Sequence, residues 1–173
     1  DSSGYASNDG TSMASPVAAG AAALIQSKFN YTNPMQIGER LRQTCDPLAI
    51  TGVNNTDSLY KNGYLGKGRI NVYRALTEQN LKSLVISPIA ITDGGDDVFM
   101  PAETLSISAT FTNYLDALNN AVATLSVASV SAGNAPQILG GGMFNLGPLA
   151  TLASKNNNTA PFKIVLDPSV PIN

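Results

Sequence analysis

Apolar and polar positions along the chain keep a helical period at first and a period of two later. From about Thr11 to Lys28, Ala14, Val17, Ala18, Ala21, Ala22, Leu24 and Ile25 recur at the spacing of one helix face. Such small side chains let neighbours approach closely, so the pattern predicts a deeply buried helix with Pro16 in its first turn or so. A second helix is predicted from Asn33-Pro34, a good N-cap followed by a residue suited to the first helical position. Ile37, Leu41 and Met35 should face inward there, and Glu39, Arg40 and Arg42 outward. It should end by Cys45-Asp46-Pro47. Loop residues follow from Thr51 to Asp57, and the glycines from Gly63 to Arg69 predict tight turns. A third, short helix from about Val72 to Glu78 offers Val72, Ala75 and Leu76 to a core.

From Leu84 onward the period is two. Leu105, Ile107, Ala109 and Phe111 alternate with Ser106, Ser108, Thr110 and Thr112, which predicts a half-buried strand. Ala123, Leu125 and Val127 repeat the pattern, as do Phe162, Ile164 and Leu166. Gly140-Gly141-Gly142 and proline turns separate these segments. Asn156-Asn157-Asn158 predicts a polar turn. Short strands at this spacing predict a β-sandwich. The expected division is residues 1–80 and residues 81–173.

Composition narrows the chemistry. The chain has 173 residues, of which 43% are hydrophobic and 13% charged, with a net charge of −2. That balance excludes a disordered chain and gives no electrostatic case for nucleic acid. The longest apolar-plus-glycine run, Val17 to Ile25, is short of the ~20 residues that span a bilayer. Histidine is absent, so no imidazole base can come from these residues. A single cysteine, Cys45, permits no internal disulfide and no cysteine-rich zinc site. It reads as a small packed residue rather than a reactive thiol. Asp1 is not a methionine, so the chain is expected to be processed or cut from something longer.

The informative stretch is Gly10 to Leu24, GTSMASPVAAGAAAL. A serine at the start of a helix has an exposed hydroxyl and a backbone N–H without an intrahelical partner. Those N–H groups and the helix dipole favour the negative charge that develops in acyl transfer. The alternative is a serine at a helix start with no chemistry, and the length of the string weighs against it.

Gly10 through Pro16 strongly resembles the nucleophile motif of the subtilisin-like serine proteases, and Ala18, Gly20 and Ala23 continue it. Asn33-Pro34 through Leu41 and Thr44, then Gly66-Lys67-Gly68-Arg69-Ile70-Asn71-Val72, extend the resemblance over about residues 1–80. Gly66-Lys67-Gly68 lacks the spacing of a phosphate loop and reads as a turn. The resemblance implies an α/β fragment, the C-terminal helices of a subtilisin-like domain. It implies Ser12 as nucleophile, with its N–H as one oxyanion donor. The family's aspartate, histidine and side-chain oxyanion asparagine precede the serine, so they would lie ahead of this chain. Asp1 and Asp9 do not sit in the family's aspartate context. The implied parent is a secreted or cell-surface bacterial endopeptidase acting on proteins or peptides. This chain alone is expected to be inactive. Apolar faces made for the N-terminal part of the protease domain should make it self-associate or rearrange its N-terminal segment.

Residues 84–173 resemble, more loosely, the immunoglobulin-like modules appended to secreted bacterial proteases. The residues that carry this are Asp93-Gly94-Gly95-Asp96-Asp97, Pro101-Ala102-Glu103-Thr104 and the strand Leu105–Thr112 ending at Asn113, although Ala102 replaces a glycine. The fold expected is thus the α/β fragment plus an all-β immunoglobulin-like sandwich, truncated at its end. Asp93, Asp96, Asp97 and Glu103 could supply oxygen ligands to calcium, but full EF-hand spacing is absent, and a solvated acidic turn is the favoured reading. Asn30-Tyr31-Thr32, Asn54-Asn55-Thr56 and Asn157-Asn158-Thr159 fit the glycosylation pattern. Tyr60, Tyr64 and Tyr73 read as packing residues. The alternative function is a pseudoprotease or adhesion module whose sandwich binds a surface, a glycan or a protein partner.

Overall fold

Gly10 opens the first helix of the computed structural model, which describes residues 10–47, 66–127 and 134–169. Its φ of 150° suits a residue without a side chain, and it caps α1 (Thr11–Phe29) without a side-chain hydrogen bond. Asn30 ends α1 in the left-handed region at φ 48°, its N–H donating to the Gln26 carbonyl at 2.9 Å. Pro16 is the sixth residue of the helix, just past its first turn. α2 (Pro34–Gln43) starts from a reciprocal cap. The Asn33 side chain accepts from the Met35 N–H at 2.9 Å, and the Gln36 side chain accepts from the Asn33 N–H at 3.3 Å. Asn71 caps α3 (Val72–Thr77) by accepting from the Arg74 N–H at 2.9 Å. The loop Thr51 to Asp57, Tyr60, Tyr64 and Asn54 lie outside the described residues. The chain divides into two units, Asp1–Ser83 and Leu84–Asn173.

Two expectations for the helices are corrected. In α1 only Ala21 and Ile25 are fully buried, whereas Val17 is 62% and Leu24 52% exposed. Among the described residues, α1 packs on α2 and α3 along one narrow stripe, which leaves the rest of its apolar surface uncovered. In α2 the buried side is polar: Glu39 is 6% and Arg40 4% exposed, while Met35 is exposed. The reason is the unsatisfied end of α3. Arg40 Nε donates to the Ala75 carbonyl at 2.5 Å, Nη2 donates to the Glu78 carbonyl, and Nη1 donates to the Tyr31 hydroxyl at 3.1 Å. Its guanidinium carbon lies 3.8 Å from the Phe29 ring centroid, a stacked cation–π contact. All three nitrogens of this buried cation thus have an acceptor and one face has a ring, which offsets the cost of its burial. Tyr73 is exposed and does not pack.

Among its described residues the second unit is built from strands and one short 3₁₀ turn. A five-stranded antiparallel sheet runs β1 (Leu84–Thr92), β2 (Thr104–Asn113), β7 (Phe162–Val165), β4 (Gln137–Leu139), and β6 (Ser154–Asn156) also pairs with β2. β3 (Leu118–Thr124) and β5 (Met143–Leu149) form a two-stranded sheet. Ala109, Phe111 and Phe162 from the larger sheet and Ala123 and Leu146 from the smaller share one core. Phe111 and Phe144 stack across it at 6.1 Å between centroids. The alternation along β2 is as the sequence predicts: Leu105, Ala109 and Phe111 are buried, with half-exposed Ser and Thr between them.

Asparagines tie the irregular parts of this unit together. Asn113 is fully buried. Its Nδ2 donates to the carbonyls of Asp116, Leu149 and Ala150 at 3.1–3.2 Å, and its Oδ1 accepts from the Leu115 N–H. Asn157 is 0% exposed, so its sequon is no glycan acceptor in the folded chain. Gly140–Gly142 forms a short 3₁₀ turn, not merely a spacer between strands.

Candidate active site

Ser12 is the second residue of α1, exposed, and its side chain has no hydrogen-bond partner among the described residues. The first intrahelical bonds belong to its neighbours. Both the Met13 and the Ala14 N–H donate to the Gly10 carbonyl at 3.1 Å. The Ser12 N–H lies in the first turn, where no helical acceptor exists. Pro16 stands four residues on and has no N–H, so the Ser12 carbonyl also lacks its usual helical donor. Both backbone groups of Ser12 are thus outside the helical ladder. An exposed hydroxyl beside an N–H outside the helical ladder, at the positive end of a 19-residue helix, suits attack on a carbonyl and stabilisation of the resulting oxyanion. These residues supply no imidazole base, since the sequence has no histidine.

Behind α1 the unit is held by charge. Asp46 pairs with Arg69 through two backbone hydrogen bonds, at 2.8 and 3.0 Å. The Asp46 carboxylate accepts from Asn71 Nδ2 at 3.0 and 3.1 Å, and from Arg69 and Arg74 at longer range. The Asn71 bond above all, with help from both arginines, holds the Asp46 carboxyl below the ordinary range. Gly68 sits at φ +134°, and a Cβ there would lie 2.0 Å from the Asp46 carbonyl oxygen, so the bridge requires glycine. Gly66-Lys67-Gly68 is therefore built as a turn. Burial, with the neighbouring Asp46 charge, pushes the Cys45 thiol up, and its Sγ lies 3.3 Å from the Leu41 carbonyl. That is a packed thiol rather than a nucleophile.

Three of the four carboxylates singled out for calcium, those of Asp93, Asp96 and Glu103, accept backbone N–H groups of their own loop. Asp93 Oδ1 accepts from the N–H groups of Gly95 at 2.7 Å and Asp97 at 3.3 Å; its Oδ2 has no partner among the described residues. The Gly95 bond leads in holding the Asp93 carboxyl below the ordinary range. Asp96 accepts from the Val98 N–H, and Glu103 from the Met100 N–H. No group of three or more such side chains is gathered for a metal ion among the described residues. Sequence reasoning missed the Glu39–Arg40–Arg42 cluster. The one signal for it is charge density on α2, which reads equally well as a solvated face.

Comparison with known proteins bears on the same stretch. Residues 2–68 match the sequence model of the Subtilase family. Over 71 residues the chain is 46% identical to Subtilisin DY of Bacillus licheniformis, covering 41% of this chain and 22% of that protein. It is 46% identical over 66 residues to the Thermostable alkaline protease of Halalkalibacterium halodurans, covering 38% of this chain and 16% of the relative. It is 33% identical over 73 residues to the Extracellular serine protease of Serratia marcescens, covering 42% and 6%. The chain therefore spans about a fifth or less of each of these relatives. No solved structure matches it. Its N-terminal two-fifths is thus similar to subtilases, and the match includes Ser12. Among the described residues no helix is long and apolar enough to cross a membrane.

Proposed function

We propose that residues 1–80 are the nucleophile-bearing C-terminal part of a subtilisin-like serine endopeptidase domain, with Ser12 as nucleophile. The observation that carries this is the placement of Ser12: exposed, at the N-terminus of a 19-residue helix, with its N–H outside the helical ladder. In the whole enzyme a histidine from outside these residues takes the Ser12 proton as Oγ attacks the peptide carbonyl. An acyl-enzyme forms, the amine leaves with that proton, and water releases the acid. The Ser12 N–H donates to the carbonyl oxygen as it gains charge. Without the missing base this chain alone hydrolyses no peptide at a useful rate. The extracellular relative from Serratia marcescens supports a secreted bacterial parent. Exposed Met13, Val17 and Leu24 support packing of α1 against the remainder of such a domain, and self-association when that remainder is absent. The two antiparallel sheets around one core support an immunoglobulin-like reading of the second unit.

The test uses the source protein with whatever its reading frame encodes ahead of Asp1. A fluorophosphonate probe should label Ser12, and Ser12→Ala should abolish both the label and peptidase activity. A frame without an upstream histidine, or a label that persists in Ser12→Ala, overturns the assignment.

A further inference from the structure

The stretch that leaves the first unit is in neither helix nor strand between Glu78 and Ser83, yet Ser83 is buried. With no regular element there, side chains of α2 fasten it. At one end the Arg40 guanidinium donates to the Glu78 carbonyl. At the other end the Ser83 hydroxyl donates to Glu39 Oε2. Glu39 is held in turn by Arg42, whose Nε and Nη2 donate to its two oxygens at 2.8 and 2.6 Å. The two contacts, made by adjacent residues of one helix, bracket the exit segment. Asn80, at φ 57°, turns the chain between them.

We infer that Glu39 and Arg40 form a clasp that keeps residues 78–83 strapped to α2, with the Glu39–Ser83 hydrogen bond as its latch. The strap contains Lys82, an exposed side chain whose peptide bond leads into buried Ser83. A protease must draw several residues on each side of a bond into extended form, so this bond is cut only when the latch opens. The clasp thus sets how readily the two units are severed, whether by another protease or by the parent enzyme. It does not depend on the role given to Ser12.

The experiment is limited digestion of the full chain with a lysine-specific endoprotease, following cleavage after Lys82, Lys28 and Lys163 by mass spectrometry. Ser83→Ala and Glu39→Ala should each raise the Lys82 rate about tenfold, the loss of one hydrogen bond to a charged acceptor. Rates at Lys28 in α1 and Lys163 in β7 should stay as in the parent chain. An unchanged Lys82 rate in Ser83→Ala overturns the inference. So does a rise at Lys28 in step with Lys82, which would mean that the whole first unit has loosened.

Discussion

The middle residue of Asn156-Asn157-Asn158 should carry far more stability than its neighbours. Asn157 Oδ1 accepts from the Ala109 N–H at 2.7 Å, and its Nδ2 donates to the Ile107 carbonyl at 3.2 Å. Both partners belong to β2 at the junction where its pairing passes from β6 to β7. Asn157→Ala leaves the Ala109 N–H without an acceptor in a buried site. An orphaned buried donor costs about 1–3 kcal/mol, and the bond to Ile107 adds roughly 1 kcal/mol. The expected loss is therefore about 2–4 kcal/mol. For a unit of this size each kcal/mol moves Tm by about 4–8 °C, so the strand transition should fall by roughly 8–32 °C. Thermal melting followed by circular dichroism in the strand band reads this directly. Asn156→Ala is the control: that side chain is exposed and accepts from the Asn158 N–H at 3.2 Å. It should stay within about 0.5 kcal/mol of the parent. Equal melting of the two variants would refute the reasoning, because the amide would then be exchanging its partners for water at no cost.

Three further outcomes follow from the same structure. Gly68→Ala forces a Cβ to within 2.0 Å of the Asp46 carbonyl oxygen at φ +134°, so it should break the Asp46–Arg69 bridge. The expected cost is about 3 kcal/mol or more, read as lost amide protection at Arg69 in hydrogen exchange. Burial pushes the Glu39 carboxyl up, but hydrogen bonds from Arg42 and Ser83, the Arg42 charge and Gln43 more than offset it, so its folded pKa is lowered. Its stabilisation is therefore present above the ordinary pKa of 4.5 and lost as pH falls through the lower folded value, and Glu39→Ala should flatten this acid limb in pH-dependent melts. Millimolar calcium should leave Tm unchanged, since Asp93, Asp96 and Glu103 already accept backbone N–H groups; a rise of several degrees would restore them as ligands.

How much of this was legible depends on whether the signal is local. The start of α2 was readable because its cap, Asn33-Pro34, is local in the sequence. The β2 alternation was readable because a strand with one wet face prints its burial on every second residue. Arg40 was misread because the carbonyls that satisfy it come from 35 and 38 residues away. Three consecutive asparagines look identical in sequence, and only the register of β6 on β2 selects Asn157 for burial. The exposed face of α1 shows the converse limit. Periodicity says that Val17 and Leu24 suit burial, but it cannot say which part of a protein covers them. The start of α1 was legible because the helical period of its small apolar residues begins just after Gly10.

The divided edge of β2 also has a mechanical meaning. β1 lies along one side of β2 for most of its length, whereas the other side is covered in two pieces, three residues of β6 and four of β7. A load applied through the C-terminal end of the chain would meet β7 first and would be passed to β6 only across that break. The Asn157 side chain spans the break with one bond to each side of Ser108, at Ala109 and Ile107. Strength on this side of the sheet is therefore carried by two short ladders joined at Asn157, whose N–H also donates to the Ala109 carbonyl at 3.3 Å, rather than by one continuous ladder.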